Sequence, residues 1–287
     1  MWPDRRLLDL FKTEFPIVLA PMAGAMDAEL VIAVAQGGGL GSLPCAMLSA
    51  EKAREQVGII RQRVSAPINM NFFCHRPVDS DPRREASWRR RLGPYYRELG
   101  LDPAAPIQAA SRTPFDGAMC ALVEELKPEI VSFHFGLPER TLLARVKGTG
   151  CHVMSSATTV KEAVWLEQNG CDVIIAQGAE AGGHRGMFLT DNIAEQPGTF
   201  ALLPQVVDAV KVPVIAAGGI ADGRGIAAAL ALRGGGCADR QRFFAVSGIQ
   251  NQRAGAAGAG RGSRRCNRHH QRHDRAARAR DRQPLHA

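Results

Sequence analysis

Apolar and polar positions alternate along the chain on two length scales. Short apolar runs are each followed by a longer segment with helical spacing. The runs Ile17–Ala20, Gly39–Ser42, Ile68–Phe72, Ile130–Phe133, His152–Ser155, Val173–Ala176 and Val214–Ala217 predict seven strands. Uninterrupted runs such as Val173-Ile174-Ile175-Ala176 suit parallel strands whose outer face is covered by helices. The helix signals agree. Asp27 precedes an apolar-periodic stretch that stops at Gly37-Gly38-Gly39, and Thr159, with Glu162 three residues later, offers an N-terminal cap. Seven regular βα steps predict an α/β chain of the (β/α)8 TIM-barrel class, incomplete in that no eighth strand is visible after Leu232.

Between Pro77 and Thr113 the rhythm lapses into proline- and arginine-rich sequence, an insertion after the third strand. Two readings stay open: a cover over the catalytic face, or a solvated helix with no part in the site. The formal net charge of +8 invites a nucleic-acid partner, but its distribution argues otherwise. Residues 233–287 hold thirteen Arg and three Asp with no Lys or Glu, whereas residues 1–232 hold 23 basic and 25 acidic groups. Residues 1–232 therefore read as one barrel domain, and residues 233–287 as a basic, low-complexity tail, disordered or out of frame. The N-terminal residues contain neither a secretory signal nor a membrane span, which points to the cytoplasm. Seven scattered cysteines without a C-x-x-C pair suit isolated thiols, and no metal is implied.

Barrel chemistry gathers where strands end, so candidate residues are sought just after each apolar run. The first is followed by Ala20-Pro21-Met22-Ala23-Gly24, a stiffened turn of small residues that lets a flat ring approach the backbone. In Asn69-Met70-Asn71-Phe72, alternation puts both amides on one face. They could meet a ligand edge that needs a donor and an acceptor, or simply bond each other. Ser132-Phe133-His134 sets an imidazole at the rim, as a catalytic group or a satisfied structural one. The segment from Gln177 to Gly186 combines glycines 178, 182, 183 and 186 with Gln177, Glu180, His184 and Arg185, a backbone able to bend close to a ligand among polar groups. Gly218-Gly219-Ile220 leads into a predicted helix from Gly225 to Leu232, an arrangement that can turn backbone N–H groups and a helix N-terminus toward a phosphate.

Taken together, A-P-M-A-G, N-x-N-F-F, S-F-H-F-G, A-Q-G-x-E-A-G-G-H-R-G and A-A-G-G-I resemble the nitronate monooxygenase family, formerly called 2-nitropropane dioxygenases, over residues 10–232. The resemblance implies FMN as cofactor. Ala20, Pro21, Met22 and Ala23 would flank the isoalloxazine, Asn71, Gln177, Gly182 and Gly183 would contact the flavin, and Gly218 and Gly219 would hold its phosphate. His184, with His134 beside it, would serve the substrate as the catalytic pair, a protonated imidazole offsetting the nitronate charge. The implied partners are an alkyl nitronate and O2, with carbonyl compound and nitrite as products. Within the same flavin superfamily an NAD(P)H-dependent quinone or enoyl-thioester reductase is the alternative. Outside it stand a nucleic-acid-binding tail and an inactive product.

The family continues with an eighth strand reading like G-A-x-x-V-Q-I-G-T-A, where this chain has Gly236-Cys237-Ala238-Asp239-Arg240-Gln241. Read from the second base of the Cys237 codon, GC-rich synonymous codons allow A-Q-I-G-S-A-F-L-R-C-P-E. A frame change near this point is therefore expected, and with it an open barrel that binds FMN poorly.

Overall fold

Eight parallel strands form one curled sheet in the order β1-β8-β7-β6-β5-β4-β3-β2. The structure, a computed structural model, describes residues 4–77, 81–102, 104–105 and 113–239, all within the unit Met1–Gly248. The strands are β1 (Ile17–Leu19), β2 (Gly41–Pro44), β3 (Ile68–Phe73), β4 (Ile130–His134), β5 (His152–Ala157), β6 (Val173–Gln177), β7 (Val214–Ala217) and β8 (Gly236–Asp239). Between them lie α2 (Ala28–Gln36), α3 (Ala50–Arg63), α4 (Pro82–Glu98), α5 (Gly117–Leu126), α6 (Arg140–Gly148), α7 (Val160–Gln168), α8 (Thr199–Ala209) and α9 (Gly223–Ala231). The seven runs of the sequence became strands, with β2 starting two residues late. There Gly38 takes a positive φ of 83°, and Leu40 is used in a bridge to Val18 before the ladder with β3 begins.

A short helix that the apolar pattern did not reveal, α1 (Arg6–Phe11), closes the amino-terminal end of the ring. Its Leu7 and Phe11 are buried in one cluster with Val18, Leu40, Ile130, Met154, Val173 and Ile215, drawn from β1, the β1–β2 seam and four further strands. Two apolar positions spaced four apart place one stripe on the barrel floor. Six residues are too short to be recognised by periodicity.

The barrel expectation holds, but the expected loss of the eighth strand needs amendment. β8 pairs with β7 from Gly236 to Ala238 and with β1 from Cys237 to Asp239. Parallel pairing uses backbone groups alone, and the preceding glycines permit the approach. A Cβ at Gly236 would stand 2.7 Å from the Pro16 carbonyl oxygen and 2.8 Å from Leu7 Cδ1. On the other side, β1 meets β2 through the single bridge Val18–Leu40, with Leu19 N–H and Leu40 N–H donating to Leu40 O and Ile17 O at 2.9 Å each. The ring is thus partial in the length of its pairing at this seam. The tail reading began at residue 233, and its first seven residues instead hold the turn after α9 and β8; the rest of it, residues 240–287, lies outside the described residues.

The insertion contains α4, capped by Asp81, whose carboxylate accepts from Arg83 N and Arg84 N at 2.9 and 3.2 Å. No described α4 residue is buried, and none lines the cavity described below, so the solvated-helix reading fits this element and the covering one does not.

Candidate active site

Period-2 alternation gives the barrel interior a gradient of polarity. Apolar Ile130, Val173 and Ile215 lie low beside α1. Higher up, the inward positions are Asn69, Asn71, Ser132, His134, Ser156 and Gln177, which open onto a cavity of about 250 Å³ at the carboxyl ends of the strands. Its size lies near the lower edge of small-molecule sites, roughly 300–1,000 Å³. All twelve residues given roles by the resemblance line this cavity: Ala20, Pro21, Met22 and Ala23 on one side, Asn71 and His134 on the strands, and Gln177, Gly182, Gly183, His184, Gly218 and Gly219 on the β6 and β7 ends; Gly178, Arg185 and Gly186, singled out with them, do not line it. Sequence reasoning missed Phe73, Ser156 and Met154 as lining residues. Phe73 and Ser156 carry the signal that would have found them, since each continues its strand's inward alternation.

The two asparagines do not bond each other. Each turns to a serine at the same register on the neighbouring strand: Asn69 Nδ2 donates to Ser42 Oγ at 2.9 Å, and Asn71 Nδ2 to Ser132 Oγ at 2.9 Å. Gln177 is committed to the loop that follows it. Its Nε2 donates to the His184 carbonyl at 3.0 Å and its Oε1 accepts from Gly186 N at 2.6 Å, which leaves one amide hydrogen and one lone pair for a ligand.

The two histidines differ in state. His134 Nε2 lies 3.2 Å from the His184 carbonyl, an acceptor only, so Nε2 carries the proton, and Nδ1 accepts from Ser156 Oγ at 2.5 Å. Burial pushes its pKa down to about 4, which keeps it neutral near pH 7. The protonated imidazole expected from the resemblance is therefore not His134. His184 is exposed at the mouth, with its ring edge-on to Phe73 at 5.3 Å.

The loop bearing His184 is tied at both ends by carboxylates, Glu162 buried and Glu180 exposed. The Glu162 carboxylate accepts from Thr158 N and Oγ1 at 2.7 Å each and from Phe188 N and Leu189 N at 2.7 and 3.1 Å. It does not accept from the backbone N–H of the N-cap residue Thr159, as a capping box predicts. Glu180 accepts from Thr199 N and Oγ1 at 2.7 and 3.0 Å, fixing the loop to the start of α8.

At β7 the chain turns through Gly218 and Gly219, with φ of 122° and 68°. A Cβ on Gly218 would come within 2.6 Å of Thr199 Oγ1 and 2.8 Å of Ala181 N, so only glycine fits. The N-terminus of α9 carries a cap from its own chain. Asp222 already accepts from Arg224 N and Gly225 N at 2.9 and 3.4 Å, and its carboxylate is held down at about 2, chiefly by the Arg224 side chain. No Lys or Arg lines the cavity among the described residues. Small residues on two walls, amides on the strands and a glycine turn at the rim together fit a flat ring system with a polar edge and a phosphate, as FMN has.

No helix among the described residues is long and apolar enough to cross a membrane. The family described as Nitronate monooxygenase matches residues 4–250. A nitronate monooxygenase of Paraburkholderia phytofirmans is 46% identical over 230 residues, 79% of this chain and 63% of that protein. One from Pseudomonas aeruginosa is 40% identical over 228 residues, 79% of this chain and 65% of its own length. The chain thus spans slightly under two thirds of these relatives. Among solved structures, nitroalkane oxidase from Streptomyces ansochromogenes superimposes with a TM-score of 0.73 at 33% identity, covering 85% of this chain and 69% of that one.

Proposed function

The chain belongs to the nitronate monooxygenase family, and from that membership we propose that it is an FMN-dependent oxidoreductase converting alkyl nitronates and O2 to a carbonyl compound and nitrite. The observation that carries the reading is the convergence of His184, Asn71, Gln177 and the glycine pairs 182–183 and 218–219 on one cavity at the carboxyl ends of the strands. Bound FMN supplies the two-electron acceptor and the reactivity toward oxygen. Ala20 to Ala23 and Gly182-Gly183 would give that ring flat walls, Asn71 and Gln177 would face its polar edge, and Gly218-Gly219 would receive the phosphate.

The protein's own groups then handle charge and protons. His184, at the mouth, holds the anionic substrate through a ring nitrogen, or takes the α-proton when a neutral nitroalkane is offered. His134 stays neutral and bonds the His184 carbonyl, so its part is to hold the His184 backbone over the cavity. Phe73, edge-on to the His184 ring, excludes water from one side of it.

The test is anaerobic bleaching of the FMN-loaded full chain by ethyl nitronate set against NADH. Rapid bleaching by nitronate, with nitrite released on readmission of air, is the expected result. Bleaching by NADH alone would transfer the chain to the reductase reading. His184→Ala is expected to slow bleaching by about 10²- to 10⁴-fold without releasing flavin, and unchanged bleaching would remove His184 from the chemistry.

A further inference from the structure

Ser156, on β5, is buried and lines the cavity, yet the reaction outlined above gives it no part. Phe133 of β4 is in register with Ser155 of β5, and one residue further along, His134 and Ser156 both line the cavity side by side. There the Ser156 hydroxyl donates to His134 Nδ1 at 2.5 Å.

A bond at one ring nitrogen sets the direction of the other, because an imidazole turns broadly about the bond that joins it to Cβ. With Nδ1 held by Ser156, His134 Nε2–H donates to the His184 carbonyl at 3.2 Å, and the same carbonyl accepts from Gln177 Nε2 at 3.0 Å. Both of its lone pairs are thereby taken by side chains. Three adjacent strands, β4, β5 and β6, each contribute one group to this brace on the backbone of His184. The loop closes directly over the pair: a Cβ added to Gly186 would stand 2.7 Å from both His134 Cε1 and Ser156 Oγ. Without a donor at Nδ1, the buried ring has to turn toward the cavity to find one, and the turn withdraws Nε2–H from the carbonyl.

We propose that Ser156 is a positioning residue: its hydroxyl aims His134 at the His184 carbonyl, and so fixes the peptide group that carries the His184 imidazole at the mouth of the cavity. The inference rests on the nitronate reading for what His184 then does, and on the printed bonds alone for how it is held.

The experiment uses the FMN-loaded full chain with Ser156→Thr, which keeps the hydroxyl, and Ser156→Val, which has nearly threonine's shape and no donor. Valine also fills the space in which, beside alanine, a water could replace the hydroxyl. Nitrogen NMR of isotope-labelled histidine reports the state of the His134 ring, while KM for ethyl nitronate and the Kd of FMN report its effect. Expected in the native chain and in Ser156→Thr is one Nε2-protonated His134 whose ring proton exchanges slowly. Expected in Ser156→Val is loss of that protection, with KM raised about five- to tenfold and FMN affinity unchanged. A packing role alone moves both variants together, so equal spectra and equal KM values in Thr and Val would overturn the proposal. A changed ring signal with KM unaltered would overturn it as well, because His184 would then not depend on the brace. The ring signals need no turnover: a change specific to Val in a chain that oxidises no nitronate would fault the proposed reaction and leave the brace standing. Should Ser156→Val fail to fold, Ser156→Cys, a weaker donor of similar shape, is held to the same comparison with a smaller shift.

Discussion

His134 illustrates how one side chain can be close to chemistry without carrying charge. Its two nitrogens are occupied by Ser156 and the His184 carbonyl, and burial lowers its pKa to about 4. Between the ordinary value near 6.5 and that figure, the unfolded chain takes up a proton that the folded one refuses. Stability therefore falls as pH drops through this window, by up to about 3 kcal/mol at its lower end, and is unaffected by this group above pH 7. Chemical denaturation at pH 7 and pH 4.5 should show that loss, and His134→Gln should flatten it. An equal acid loss in the variant would assign the effect to other groups. The sequence placed His134 at the rim, because alternation and strand length set that position. It did not carry the protonation state, which depends on Ser156 and on a carbonyl fifty residues away.

Among the elements, the loop between β6 and α8 shows where sequence reading succeeds and where it stops. Asp27 and Thr159 cap their helices as predicted, with Glu29 N and Glu162 N donating at 3.1 and 3.2 Å, because a cap is a local bond between near neighbours. Glu162 was legible only as the third residue of that cap. Its carboxylate instead crosses to Phe188 and Leu189, a tie made by the packing of two strand ends that no local spacing announces. Glu162→Ala leaves the N–H groups of buried Thr158, half-buried Phe188 and exposed Leu189 without their acceptor, at about 1–3 kcal/mol for each group that water cannot reach. The expected outcome is a lowered Tm, together with faster hydrogen exchange over residues 184–189 and a raised KM for nitronate. Exchange unchanged in that loop would show that Gln177 and Glu180 hold it unaided.

For the molecule as a whole, the seam is where the ring is thinnest. Seven strands were legible because buried parallel strands announce themselves as apolar runs. β8 was not, since Gly236-Cys237-Ala238-Asp239 lacks such a run and is held by backbone pairing and by the space that glycine leaves beneath Leu7 and Pro16. Gly236→Val fills that space and should cost about 1–3 kcal/mol by forced displacement, read as a lower denaturation midpoint with flavin release in parallel. A stable, flavin-retaining variant would mean that β8 contributes little to closure.

The first helix meets the start of the final described strand beside β1, Leu7 lying directly beneath Gly235 and Gly236. During synthesis, the amino-terminal segment leaves the ribosome long before this counterpart exists, so Leu7 meets Gly235 and Gly236 only after more than two hundred further residues have been added. Such sequence-distant closure slows acquisition of the native state and lengthens the interval in which apolar surface is open to self-association. Yield on expression should thus depend on temperature and chaperone supply more steeply than equilibrium stability alone dictates.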